Sequence, residues 1–349
     1  MDKQLEQIFE EGCGRGLLSG MVAAAGNSHG NELCCAFGTM HPAADAPEMQ
    51  PDAVFDLASI TKAVATTSAA AYCIDRGLLD PAAPAGLYLP KLAQLPGSTI
   101  TVLSLATHVS GFGNHKTDHL SPDDAVLDLL QRPPDYLPGT EYIYSCRNFI
   151  LLGWIMEACS GETLDFICER QFFKPLGMTD AHFGPLHTGD QRIVPTSVPA
   201  GIISDEQARN LPKPVGNAGL FSTVGDLAIF SRIMLNACHR SHNNFFGKTS
   251  LKWLTNCLSP PGFPRRSFGW DMRSREEVPH RPSSFSEASF GHSGWTGGSL
   301  WIDPEQDRYA IVLTNRTAQP EYGKTHGNQM NFRGNVADRL LAMLDKAFD

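Results

Sequence analysis

Paired cysteine motifs, long apolar runs and basic clusters are all missing from this 349-residue chain. Its nine cysteines, at positions 13, 34, 35, 73, 146, 159, 168, 238 and 257, are odd in number and contain no C-x-x-C pair. That argues against a disulfide framework and a structural zinc site, and it predicts reduced core thiols in the cytosol. The longest apolar stretches, 16–26 and 63–74, are broken by polar residues and fall short of the roughly 20 residues that a spanning helix needs, so no membrane partner is expected. Residues 1–11 are acidic and helical in period, unlike a basic leader followed by an apolar run, and no signal peptide is expected. Lys and Arg total 28 against 37 Asp and Glu, a net −9 with His neutral, and no basic run breaks that average. Nucleic acid is thereby excluded as a general partner. There is no internal repeat and no low-complexity tract.

What is present is an ordinary globular composition, 42% hydrophobic and 19% charged. At about 150 residues per domain, the length predicts two domains or one domain with an insertion. Leu5, Ile8 and Phe9 predict an amphipathic helix over about 2–14. Two short strands, Met21–Ala25 and Leu33–Phe37, flank the turn-forming Gly26-Asn27-Ser28-His29-Gly30 and read as a hairpin. A helix is expected over about 59–76, and helices alternate with Pro and Gly loops to about Asn236. Strand signals return at Ser267–Asp271, Ala288–Ser293, Gly298–Ile302 and Tyr309–Thr314, before a helix over about Asn331–Phe348. Sheet-forming segments at both ends of a helical middle predict an α+β fold, an α/β sandwich. In it an antiparallel sheet built from both chain ends (1–75 and 250–349) is flanked by helices, with a mostly helical domain (76–249) inserted. The Pro- and Gly-rich stretch 184–216 has no clear period, and a loop of that length is expected to wall a site.

Two motifs lead nowhere. Gly26-Asn27-Ser28-His29-Gly30 fits G-x-S-x-G, but a nucleophile elbow needs a helix after it, and here a strand follows. Gly247-Lys248-Thr249 and Gly323-Lys324-Thr325 end like phosphate loops, yet the required first glycine is His242 in one and Ala318 in the other. A third candidate is Ser59-Ile60-Thr61-Lys62 at the start of the predicted helix. Three residues apart, Ser59 and Lys62 share a face, placing an amine beside a hydroxyl at a helix N-terminus that favours developing negative charge. A serine becomes nucleophilic only when a neighbour takes its proton. By itself S-x-x-K is also what a capping serine and a solvated lysine produce.

Two further segments follow in order, Tyr144-Ser145-Cys146 in a turn leading into an apolar helix, and His292-Ser293-Gly294 in a strand that turns through glycines. With Ile100-Thr101-Val102 to Thr107-His108-Val109-Ser110-Gly111, Pro175-Leu176-Gly177-Met178, Gly219-Leu220-Phe221-Ser222-Thr223 and Leu313-Thr314-Asn315-Arg316, they make a chain that resembles the serine β-lactamase and penicillin-binding-protein superfamily. The likeness runs from about Leu17 to the C-terminus. It is to the class C β-lactamase-like branch, which also holds D-alanyl-D-alanine carboxypeptidases, family VIII esterases and amidases of cell-wall fragments.

The resemblance implies a β-lactamase/transpeptidase-like fold and a serine hydrolase with no cofactor and no metal. It makes Ser59 the acylated nucleophile, Lys62 its base and Tyr144 a proton shuttle, with His292 where many relatives carry lysine. The Ser59 and Trp295 amides would form the oxyanion hole, and Ser293, Gly294 and Cys146 would adjoin the substrate. Gly294 would let substrate lie against the strand edge. Cys146 replaces the asparagine of Tyr-x-Asn and cannot both donate and accept as an amide does. A histidine at 292 removes a permanent cation at neutral pH. Both departures favour esters, amides or peptidoglycan fragments as small-molecule substrates over β-lactams. A β-lactamase or D,D-carboxypeptidase, a transacylase, and an acylated sensor that binds without turnover remain as alternatives. Tyr142, Phe149 and Trp295 could supply apolar walls and Arg147 could meet an anion, while oligomeric state is left open.

Overall fold

In the computed structural model, which describes residues 2–96, 99–186, 189–240 and 243–348, strands from the two chain ends form one five-stranded antiparallel sheet. The N-terminal hairpin β1 (Gly20–Gly26) and β2 (Glu32–Gly38) pairs with the C-terminal meander of β6 (Phe290–Ser293), β7 (Ser299–Asp303) and β8 (Arg308–Thr314). The order is β2-β1-β8-β7-β6, with β1 against β8.

The period-two alternation of β1 and β8 divides the core between the faces of this sheet. Met21, Ala23, Ala25, Ala310 and Val312 point to one side, where they pack with Leu5 of α1 (Lys3–Gly14) and with Phe332, Val336 and Leu340 of the C-terminal helix His326–Phe348. Val22, Ala24, Ile311 and Leu313 point to the other side, into the helical body. Burial on both faces explains why β1 reads Met-Val-Ala-Ala-Ala with no polar residue. The C-terminal helix starts five residues before the expected Asn331.

Ser267–Asp271 is not a strand. It makes only isolated bridges, Arg266 with Asp271 and Asp271 with Gly291, and Gly269 at φ +86° lies in a tight turn in which the Ser267 amide donates to the Trp270 carbonyl. A second, three-stranded sheet joins β3 (Phe55–Asp56), β5 (Leu220–Ser222) and β4 (His182–Phe183). Helix Val224–Arg240 lies inside the stretch expected to form a separate helical domain, yet it packs on β8, β1 and β7. We therefore propose that the inserted helical body closes before Val224. Among the described residues no helix is long and apolar enough to cross a membrane.

Candidate active site

The short strand β3 delivers the chain to Ser59 through a braced turn. Asp56, buried at its end, accepts from the Ala58 amide and the Ser204 amide, each at 2.8 Å. Its carbonyl accepts from the Thr296 hydroxyl at 2.7 Å. Ala58 sits at φ +45°, a left-handed conformation that costs a non-glycine residue about 1–3 kcal/mol and clusters at functional sites. The sharp turn sets Ser59 at the mouth of the following helix, whose first residues, Lys62–Thr66, wind as a π-helix before α2 (Thr67–Asp75). The sequence predicted plain α-helix here. Instead the Thr66, Thr67 and Ser68 hydroxyls donate to the Gly216, Ala63 and Val64 carbonyls, holding the widened turn.

Lys62 is fully buried. Its Nζ donates to Ser59 Oγ at 2.9 Å and to the Asn217 carbonyl at 2.8 Å, lies 3.9 Å from Cys146 Sγ and stands 5.2 Å from the centre of the Tyr144 ring. Burial pushes the amine down, but the negative forms of Cys146 and Tyr144 pull it up further, so Lys62 is held above the ordinary lysine value. Burial also pushes the Cys146 thiol up, against the pull of Lys62, so it is neutral near pH 7.

Ser59, Tyr144, His292, Ser293, Gly294 and Trp295 all line one cavity of about 320 Å³. A larger apolar cavity of about 660 Å³, lined by Val126, Leu130 and Trp154, contains no nucleophile, and the smaller one is where the chemistry lies. His292 shares the inward face of β6 with Phe290, opposite Leu300 of β7. Its Nδ1 bonds the Ser293 carbonyl at 2.9 Å, which makes Nδ1 the protonated nitrogen and leaves Nε2 as an acceptor with no partner among the described residues. Burial, with the charges of Arg266 and Lys62, pushes His292 down to about 3, so no cation stands at this position. The Ser59 and Trp295 amides donate to no other described group, as two oxyanion donors would require.

Gly294 has a packing reason beside the one expected. A Cβ there would lie 2.4 Å from the Leu57 carbonyl oxygen, so glycine is needed for the β6–β7 turn to close on the Ser59 turn. Cys146 does not line the cavity; it sits behind Lys62 with its amide on Asn114 Oδ1. Arg147 lies away from the site, donating to the Leu129 and Arg132 carbonyls over the Phe112 ring. Phe149 is core, Tyr142 accepts from Arg266, and only Trp295, half exposed, walls the cavity.

Other residues here carried no motif. His108, left-handed at φ +60°, stacks 4.5 Å from Tyr144, and its Nδ1 accepts from the Ser145 amide. Arg266, Asp271, Arg273 and His280 line the cavity. The described part of loop 184–216 walls other cavities and reaches this site through the Ser204 amide on Asp56 and at its end, where the Gly216 and Asn217 carbonyls accept from Thr66 and Lys62. Of these only the looped stretch before Asn217 and the family-like run around His108 gave a signal in the sequence.

A sheet built from both chain ends, with a buried lysine on a turn serine beside its edge strand, defines the β-lactamase-like serine hydrolases. The Beta-lactamase family matches residues 5–331, and the chain belongs to it. A protein of Escherichia coli (strain K12), provisionally named D-alanyl-D-alanine carboxypeptidase, is 30% identical over 307 residues, 76% of this chain and 70% of that protein. The N-acetylmuramyl-L-alanine amidase of Bacillus subtilis (strain 168) is 29% identical over 316 residues, 78% and 70% of the two chains. A simvastatin synthase (LovD) mutant from Aspergillus terreus shares the fold at a TM-score of 0.75 and 18% identity, over 98% of this chain and 97% of that one.

Proposed function

We propose that this chain hydrolyses carboxylic esters or amides, including those of cell-wall fragments, through an acyl-enzyme on Ser59. The observation that carries this reading is the 2.9 Å contact between Lys62 Nζ and Ser59 Oγ at the wall of a cavity that also holds Tyr144 and His292. Lys62, held high, rests as an ammonium, and both of its short hydrogen bonds are donated, as an ammonium requires. It steadies the negative charge growing on Ser59 Oγ as that oxygen attacks the carbonyl carbon. Attack proceeds from the form of the Lys62–Tyr144 pair that has lost one proton: with Lys62 kept as the ammonium, the Tyr144 oxygen takes the Ser59 proton and then gives it to the leaving group. The Ser59 and Trp295 amides hold the tetrahedral oxyanion. Water then attacks the ester carbonyl, the Tyr144 oxygen takes its proton, and Ser59 Oγ leaves with that proton as the acid is released.

The amidase and carboxypeptidase names of its relatives support an amide or peptide substrate. A neutral His292 and a Cys146 set behind Lys62, off the cavity wall, are reasons to place β-lactam turnover second. Nine unpaired cysteines support a reducing compartment such as the cytoplasm, which fractionation of cells would test.

Pre-steady-state release of nitrophenol from p-nitrophenyl butyrate tests the nucleophile. A stoichiometric burst followed by turnover, both absent in Ser59→Ala, is expected. A burst without turnover would make the protein a sensor, and turnover surviving in Ser59→Ala would overturn the assignment.

A further inference from the structure

Tyr144 has no regular element to hold it. It lies in the irregular stretch 141–145, ahead of the helix Cys146–Ser160, so the place of its ring is set by contacts across the fold. A proton relay needs its oxygens within hydrogen-bond reach, and a displacement of about 1 Å breaks it. His108 supplies the accuracy that the local chain lacks. Its carbonyl accepts from the Ile143 amide at 3.0 Å, and its Nδ1 accepts from the Ser145 amide at 3.2 Å. Its ring backs the Tyr144 ring, with centroids 4.5 Å apart and planes tilted by 35°. The main chain is gripped on both sides of Tyr144, and the side chain rests on the same residue.

The clamp is itself fixed. His108 is buried and left-handed, a conformation that is uncommon outside glycine and that persists only where the surroundings over-determine it. The Asn148 side-chain nitrogen stands 3.1 Å from the same Nδ1. The Asn148 oxygen accepts from the Ser110 hydroxyl at 2.6 Å, which turns the NH2 end towards the imidazole. Two donors aimed at Nδ1 make it the acceptor and put the ring proton on Nε2. Burial, with the charges of Arg266 and Lys62, holds His108 well below the ordinary histidine value, so this acceptor persists across the neutral range. The ring is not part of the wall of the Ser59 cavity, where a group that handled the substrate's protons would stand.

We propose that His108 is the positioning residue of Tyr144, holding the phenol oxygen where it relays a proton between Ser59 and the leaving group. It touches neither substrate nor the transferred proton. The inference rests on the hydrolase reading for the relay but not for the clamp.

A fault in the relay has a signature that general loosening lacks. p-Nitrophenolate leaves without a proton, whereas an alkoxide must be protonated as it departs. The ratio of kcat/KM for p-nitrophenyl butyrate to that for ethyl butyrate therefore reads proton delivery. His108→Asn suits a left-handed backbone and keeps a side-chain acceptor but removes the ring behind Tyr144. In this variant the ratio is expected to rise about tenfold or more, a share of the roughly 10²- to 10⁴-fold that a positioned proton donor supplies. Tyr144→Phe should raise the ratio by itself, and His108→Asn added to it should raise it no further. A ratio unchanged in folded His108→Asn, or raised as much in the Tyr144→Phe background as in the wild type, overturns the proposal. If the histidine variant does not fold, Ser110→Ala, which frees the Asn148 side chain, takes its place under the same criteria.

The hydrolase reading fails separately, when the wild-type protein cleaves neither ester. The clamp is then read by NMR of ring-labelled tyrosine, with the Tyr144 resonance identified by its loss in Tyr144→Phe. That resonance is expected to be single and sharp in the wild type and broadened or split in the folded clamp variant. A Tyr144 resonance as sharp in the variant as in the wild type rejects the clamp whether or not esters are cleaved.

Discussion

Lys62 Nζ donates at 2.8 Å to the main-chain carbonyl of Asn217, 155 residues further along the chain. The lysine is held between a loop carbonyl and the Ser59 hydroxyl, so its direction is fixed by the packing of the helical body and not by the helix it belongs to. Replacing Lys62 by Met retains the apolar stem and removes the charge. Since a buried charge without a carboxylate partner gives little stability, the thermal midpoint should hold within a few degrees while kcat falls about 10³-fold. Burst kinetics beside a melting curve check both halves.

Gly294→Ala places a methyl group 2.4 Å from the Leu57 carbonyl oxygen, where backbone must move. The shift falls between the Ser59 and Trp295 amides, and a displacement of about 1 Å there is expected to lower kcat about 10²-fold. A variant with full kcat would mean that the two turns do not need to meet so closely.

His108, His280 and His292 are all pushed below the ordinary histidine value of 6.5 by burial, aided by nearby cations, His292 to about 3. Between these limits the unfolded chain binds protons that the folded chain does not, so stability rises with pH through this window and is lost on acidification from 6.5 towards 3. Each group contributes at most about 1.4 kcal/mol per pH unit. Melting temperatures should fall steadily from pH 7 to pH 4, and less steeply in His292→Gln. Over pH 5–8 the profile of kcat/KM should show no step from His292.

Asn315 ties the sheet to the loops around it. Its Oδ1 accepts from the Ser19 and Gly20 amides, and its Nδ2 donates to Ser19 Oγ and to the Thr39 and Met40 carbonyls. Asn315→Ala orphans several buried groups at once, and the expected loss is about 3 kcal/mol, measured by urea denaturation.

Cys34 and Cys257 are the exposed thiols of the nine. A thiol reagent should react first with these two in the native protein, more slowly with the partly exposed Cys13, Cys35, Cys146, Cys159 and Cys238, and with the buried Cys73 and Cys168 only after unfolding. Cys34→Ser and Cys257→Ser should each remove one fast equivalent.

The strands and end helices were legible because alternation and helical period are local properties of the chain, visible in Met21–Ala25 and in Tyr309–Thr314 as directly as in the folded sheet. Ser59, Lys62, Tyr144 and His292 were legible through ordered motifs. Arg266, Arg273 and His280 were not, because a guanidinium on an irregular segment has no spacing that distinguishes a cavity wall from a solvated surface. The strand expected at Ser267–Asp271 failed for a related reason, since Gly269 turns left-handed in a stretch whose composition reads as extended.

What the sequence determined by itself is that Ser59 and Lys62 share one face at a helix start; the class of chemistry was legible only through the several ordered motifs that resemble the family. It also determined which strands face two layers, because residues buried on both faces must be apolar. What only the tertiary structure decided is the charge of the site. Position 292 holds a histidine kept neutral by burial, and the charged groups Arg266, Asp271 and Arg273 reach the cavity wall from a remote segment. Protonation and net charge depend on which groups meet in a low-dielectric cavity, and that meeting is fixed only when distant parts of the chain pack together.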